Sequence, residues 1–201
     1  MKKTFLKNII TGDESWFFFR YDHKFQYSKN RSDIKSIIKP NFSQKKAMIS
    51  IFFCGSEFLL IDALPKGNKF NSTYFCDSIL SKLENEIKKR RPKMGFKNMF
   101  IHMDKAKPHK SIMSTEKIKT LGLSIINQPL YSPDIAPCDF WLFGLLKEKL
   151  KGCSFETREE MILTISKILK EITKKEIYSV FNEWIKRLKT VINSKGEYRS
   201  K

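Results

Sequence analysis

Asn98 to His109 reads NMFIHMDKAKPH. Its first six residues are mostly apolar and make a short buried strand, while the six that follow are an acid, three bases, an alanine and a proline, which stop it. Asp104 stands at that boundary, on the carboxyl side of the strand, where sheets with parallel members place their sites. The chain carries 39 Lys and Arg against 21 Asp and Glu, a formal net charge of +18, yet it keeps a carboxylate here between two histidines and a run of lysines. That placement asks for a chemical reason.

Toward the amino end lie three aromatic or β-branched runs: Glu14 to Tyr21 (ESWFFFRY), Ala47 to Cys54 (AMISIFFC) and Glu57 to Leu64 (EFLLIDAL). The last two are joined closely enough at Gly55-Ser56 to form a hairpin, and all three read as antiparallel neighbours. Between the first two, Asp22 to Lys46 is rich in Lys, Ser and Asn and reads as a long basic loop with one short strand at Phe25 to Tyr27. Asn71 to Arg90 has helical spacing. The basic run it leads into, KKRRPK from Lys88 to Lys93, reads equally well as a helix end that complements the macrodipole or as a nuclear localisation signal. Toward the carboxyl end, Ser111 to Leu121 is a helix stopped by Gly122, and Leu123 to Asn127 is a strand. Helices follow at Cys138 to Lys151, Thr157 to Ile172 and Lys174 to Ile192. Strand, helix and strand in alternation predict an α/β fold with a mixed sheet.

At 201 residues and 41% hydrophobic content, one domain with a real core is expected. The positive excess is spread along the chain and favours a polyanionic partner such as nucleic acid over a membrane surface. No apolar stretch approaches the ~20 residues of a spanning helix, and no small-molecule substrate is expected. Cys54, Cys76, Cys138 and Cys153 include no Cys-x-x-Cys pair, so reduced thiols and an intracellular protein are expected.

Two further acids belong with Asp104. Asp13 opens the first strand in ITGDESWFF, and Asp139 starts a helix in YSPDIAPCDFWLF. Singly, each of the three reads as a turn residue or a helix cap. Gathered at one sheet edge, three carboxylates are hard oxygen ligands suited to Mg²⁺ or Mn²⁺.

TGDESW (Thr11 to Trp16), HMDKAKPH (His102 to His109) and YSPDIAPCDFWLF (Tyr131 to Phe143), with 34 residues between Asp104 and Asp139, resemble the catalytic domain of the mariner family of DNA transposases. The resemblance runs from about Phe5 to Tyr198. It implies an RNase H-like fold, a central mixed sheet flanked by helices with a helical tail at about 156–194, over a single domain at 1–201. It implies a catalytic, metal-binding triad of Asp13, Asp104 and Asp139 holding two Mg²⁺ or Mn²⁺ ions. The implied activity is metal-dependent DNA strand cleavage and strand transfer, with transposon ends and a TA target as DNA partners, a homodimer as the acting form, and the nucleus as its place in a eukaryote. Asp134 is set aside as the third acid because only 29 residues separate it from Asp104. The basic segment at about 22–46 matches the family's clamp loop in position. Expected DNA contacts are Lys24, Lys29, Arg31, Lys35, Lys39, Lys45, Lys46, Lys105, Lys107 and His109. His102, Trp141 and Trp184 read as core residues, as do the strand aromatics Trp16, Phe17 and Phe18, for which stacking on bases is the rarer use.

The chain departs from the family pattern in places. Lys105 and Lys107 stand where Asn and Arg are usual, and Cys138 replaces a small hydroxyl residue. Met1 lies only twelve residues before Asp13, so the helix-turn-helix modules that precede the catalytic domain in the family are expected to be absent. A catalytically silent relic, or a domesticated DNA-binding protein, is therefore an alternative reading. An RNA–DNA hybrid nuclease on the same fold is another.

Overall fold

The computed structural model describes residues 3–21 and 45–194. Five strands form one sheet: β1 (Ile9–Phe18), β2 (Lys46–Cys54), β3 (Glu57–Ala63), β4 (Phe100–Met103) and β5 (Ser124–Asn127). Their order across the sheet is β3-β2-β1-β4-β5. The first three strands pair antiparallel, and β4 and β5 run parallel to β1. This is the expected RNase H-like mixed sheet. Helices cover both faces, because β1 and β2 send large apolar side chains alternately to each side. Ile9, Phe17, Ile49, Ile51 and Phe53 meet the carboxyl-terminal helices on one face. Ile10, Phe52, Cys54 and Leu59 meet helix 72–90 on the other.

The first strand begins earlier than the apolar run predicts. Asp13 reads as the start of the strand, but Ile9–Phe18 is continuous strand, so Asp13 lies mid-strand opposite Ile51 of β2 and does not open it. Gly12 is in the strand for a steric reason: a Cβ there would come within 2.0 Å of Cδ1 of Phe52, whose ring lies over the backbone.

The helices match their expected extents closely. Thr173 and Glu176 close a capping box at the start of Lys174–Asn193, and Thr157 caps Arg158–Glu171. Residues 72–90 and 138–149 each contain a wider π-type turn, Phe75–Leu80 and Cys138–Leu142. A short helix at Lys107–Lys110, started by Pro108 at a first-turn position, was not expected. The lysine-arginine run ends helix 72–90 and is paired along it: Lys88 with Glu84, Lys89 with Glu86, and Arg90 with Glu57 and Glu86. This is the helix-end reading of KKRRPK. Among the described residues, no helix is long and apolar enough to cross a membrane.

Candidate active site

The register of the central strands brings two of the acids together. Thr11 of β1 is the partner of His102 of β4 in the parallel pairing. Two residues further along each chain stand Asp13 and Asp104, so they occupy neighbouring positions at the carboxyl end of β4. Asp139 approaches from helix 138–149, on the wide turn Cys138–Leu142. π-type turns of this kind often carry functional side chains.

The electrostatics show that the three carboxylates feel one another. Burial pushes Asp13 up to about 8, and the charges of Glu14, Asp139 and Asp104 add to that push. Asp139 is raised by desolvation and then by Asp104, with Lys147 opposing. Lys147 Nζ donates to Ser15 Oγ at 2.9 Å, next to Asp13 on the strand. Asp104 moves the other way. Burial works to raise it, but a hydrogen bond from His109, the Ala106 amide and the imidazole charge outweigh burial and hold it low.

Two alternating sets of side chains leave β1. Asp13 and Ser15 face Asp139 and Lys147, and Glu14 turns to the opposite face, where it meets His109. His109 Nδ1 donates to Asp104 Oδ1 at 2.7 Å. Its Nε2 lies 3.1 Å from Glu14 Oε2, an ion-pair contact without the angle of a hydrogen bond. Burial opposes protonation of this imidazole, but the hydrogen bond to Asp104 and the nearby charges of Glu14 and Asp104 prevail and raise it to about 10. His109 therefore corrects an expectation. It is 3% exposed and packed against Phe75 and Phe70, so it serves carboxylates inside the protein and offers no ring to a DNA phosphate.

The donor set is that of a hard cation: three aspartates that repel one another, with Asp13 raised first by burial and then by the neighbouring carboxylate charges. A divalent ion would offset that repulsion. Among the described residues, no three His, Cys, Asp or Glu side chains are yet gathered at ligand distance. The acids are thus close enough to couple electrostatically without being gathered at ligand distance. Asp13, Asp104 and Asp139 are the residues that would hold it.

The remaining expectations divide. Lys105 and Lys107 are exposed beside Asp104. Lys24, Lys29, Arg31, Lys35 and Lys39, and the strand expected at Phe25 to Tyr27, lie outside the described residues. Lys45 donates to Glu156 O at 3.0 Å and sits over the Phe19 ring. Lys46 covers Trp16, which is 41% exposed and so departs from the core role given to it, while Phe17 is fully buried. His102 is core as expected: burial lowers it to about 4, its Nδ1 is 3.2 Å from Thr11 Oγ1, and its ring lies against Trp184. Cys138 is buried, which raises its thiol. Glu14 and Lys147 were missed. Strand alternation after Asp13 was the signal for Glu14, but no local pattern announces Lys147. A surface cavity of about 610 Å³ is lined by Gly95, Asn98 and Ser124, at the opposite end of the parallel strands from the acids.

Residues 21–95 match a family described as transposase (partial DDE domain), a stretch that contains none of the three acids. The chain is 28% identical over 164 residues to the mariner Mos1 transposase of Drosophila mauritiana, covering 80% of this chain and 47% of that protein. It therefore spans about half the length of this relative. The solved catalytic domain of Mos1 mariner transposase superposes with a TM-score of 0.79 at 22% identity, over 98% of this chain and 87% of that one. A Mos1 mariner paired end complex with Mn superposes at 0.87 and 23% identity, over 97% of this chain and 57% of the other. At these identities the structural likeness establishes the fold.

Proposed function

We propose that this chain, which carries a mariner-type transposase catalytic domain, cleaves and joins DNA phosphodiesters with divalent cations held by Asp13, Asp104 and Asp139. One observation carries the reading: the β1–β4 register that puts Asp13 level with Asp104, while Asp139 faces both closely enough to raise the Asp13 carboxyl. Two Mg²⁺ or Mn²⁺ ions would activate the attacking oxygen and stabilise the leaving one. The protein's own contribution is electrostatic and positional. Asp104 is held ionised by His109 before any cation arrives, whereas Asp13, raised to about 8, gives up a proton when one binds. Lys147, anchored on Ser15, neutralises part of the charge at Asp139.

DNA is the substrate that fits a chain of net charge +18. Exposed Lys105 and Lys107 would meet its phosphates beside the acids, with Lys45, Lys46 and the basic segment 22–44 of the sequence as further proposed contacts. Transposon ends as substrate follow from the likeness to the Mos1 paired-end complex with its left transposon end; a TA target, a dimeric acting form and the nucleus of a eukaryotic cell follow from the resemblance to the mariner family.

The test is nicking of supercoiled plasmid by the purified chain in Mn²⁺, beside Asp13→Ala and Asp139→Ala. Cutting that depends on metal and disappears in both variants supports the assignment. Cutting retained in either one rejects it.

A further inference from the structure

We infer that His109 and Glu14 act as a positioning pair that locks the carboxylate of Asp104 in one orientation and leaves it a single oxygen for an outside cation. The inference rests on the reading of Asp104 as a ligand and adds how that ligand is aimed.

Both hydrogen bonds to Asp104 fall on the same atom. Oδ1 accepts from the Ala106 amide at 3.0 Å and from His109 Nδ1 at 2.7 Å. Rotation of the carboxylate breaks both together. Oδ2 is left for an external partner on a side chain 42% exposed, which makes Asp104 a one-oxygen ligand.

The imidazole is itself fixed from three sides. Its ring centroid is 4.8 Å from that of Phe75 and 5.9 Å from that of Phe70, and the residue is 3% exposed. The backbone beside it is pinned by Ser114, a fully buried residue whose Oγ donates to Pro108 O at 2.6 Å. From the third side comes Glu14 Oε2, 3.1 Å from Nε2. Glu14 is the costly member. Its Oε1 is buried without a hydrogen-bond partner, a penalty that an ordinary core position would not retain. A carboxylate in that position is explained if its work is to hold the far nitrogen of a ring whose near nitrogen aims a ligand. Strand alternation supplies both parts at once: Asp13 goes to the cation side of β1, and the next residue buttresses the neighbouring strand's acid from behind.

Two substitutions separate aiming from mere packing, because each removes the ring and keeps one nitrogen. The amide nitrogen of His109→Asn falls near the place of Nδ1 and can still donate to Asp104. That of His109→Gln falls near the place of Nε2 and reaches only Glu14. The readout is Mn²⁺ affinity of the full chain without DNA, followed by the electron paramagnetic resonance signal of free Mn²⁺, with thermal unfolding as the check on folding. Loss of an orienting partner typically weakens metal binding about 10–100-fold, so His109→Gln should fall in that range and His109→Asn stay within about threefold of the parent. Glu14→Gln, which keeps shape and removes the charge, should fall about tenfold without loss of fold, and it carries the test if neither His109 variant folds.

Equal affinity in the two His109 variants, or in Glu14→Gln and the parent, overturns the positioning role. Asp104→Asn separates this from the underlying reading. If Asp104→Asn binds Mn²⁺ as the parent does, Asp104 is no ligand and the site assignment fails. If it loses Mn²⁺ while the other variants keep it, only the positioning pair fails.

Discussion

Asp13 and Asp104 are the same residue type at neighbouring positions on neighbouring strands, yet their surroundings drive them in opposite directions. Asp13 is raised to about 8 by burial and by three nearby carboxylates. Asp104 is lowered, because an imidazole and a backbone amide outweigh its shallower burial. They are also held by different means. Asp13 is fixed by sheet pairing, with Ile51 opposite on β2 and the Glu14 amide donating to its Oδ1 at 2.7 Å. Asp104 lies one residue past the end of β4 and is held by side-chain bonds. One acid is rigidly placed and electrostatically uncomfortable, and the other is comfortable because it is tethered. A site that held cations would gain from that division, since the ionised tethered acid would attract the ion and Asp13 would release its proton to solvent as the ion bound.

The sharpest way to break the comparison is to neutralise each acid in turn. Asp13→Asn and Asp104→Asn should both lose metal-dependent nicking by about a thousandfold or more, because a lost ligand removes several kcal/mol of charge stabilisation at tenfold per ~1.4 kcal/mol. Their stabilities should then part. In metal-free buffer at pH 8 and above, Asp13→Asn removes a buried charge that faces like charges and should raise the melting temperature, by ~2–4 °C for each kcal/mol relieved in a chain of this size. Asp104→Asn takes away the acceptor of the His109 bond and should lower it. Thermal scans of the two variants beside the parent decide the matter, and equal shifts in one direction would refute the division.

Next in size is the rigid half. Gly12→Ala places a methyl group into the ring of Phe52, itself fully buried. Overpacking of this sort costs ~1–3 kcal/mol. The variant should melt several degrees lower and cut more slowly than its loss of stability alone explains, because the displaced backbone carries Asp13. Unchanged melting would mean that the strand yields, and that Asp13 is less firmly placed than its pairing implies.

The comparison also predicts a pH dependence whose sign can be worked out. The folded protein holds a proton on Asp13 up to about 8, whereas the unfolded chain releases it near 3.8. Between those values the folded state binds more protons, so this group makes the metal-free protein less stable as pH rises from about 4 to about 8. His109, raised to about 10, contributes stability that is fully present below its ordinary 6.5 and lost as pH rises through 10. Asp104, lowered, contributes stability that disappears only as pH falls below the ordinary carboxylate range. Saturating Mn²⁺ should flatten the decline between 4 and 8 and leave the loss near 10 in place. Melting temperatures across that range, with and without Mn²⁺, test both signs.

Much of this arrangement was legible in the residues. The strand before Asp104 was visible because a short apolar run ends abruptly in charges, and the carboxyl-terminal helices were visible because their caps and spacing agree. The start of β1 was hidden. Gly12 ordinarily marks a turn, and only the Phe52 ring of another strand explains its presence in the sheet. Asp13 was therefore singled out as a site residue but put at the wrong place on its strand. His109 was noticed for its closeness to Asp104 and assigned to DNA, since no local pattern reveals that Phe70 and Phe75 from a distant segment close over it. Glu14 sits inside a recognised motif, but its role depends on a residue 95 positions away. Local sequence reports strand, helix and charge; it does not report which buried group a second element will cover.

The smallest effect belongs to the residues that depart from the family pattern most visibly. Lys105 adjoins Asp104 in sequence, and an ammonium paired with that carboxylate would compete with a cation for it. The geometry argues otherwise. Asp104 Oδ1 is taken by His109 and Ala106, and among the described residues no ion pair joins it to Lys105, which is exposed to solvent. An exposed charge of this kind acts through a screened field and not through the ligand. Lys105→Asn should therefore change Mn²⁺ affinity by less than about twofold, well short of the 10–100-fold seen when an orienting partner is lost. If Lys105 and Lys107 meet phosphate instead, each neutral replacement should weaken DNA binding uniformly across sequences and reduce the slope of log affinity against log salt by about one. Binding isotherms over a range of salt concentrations measure that slope. An unchanged slope removes these lysines from the DNA surface, and a large gain in Mn²⁺ affinity would show that Lys105 reaches the acid after all.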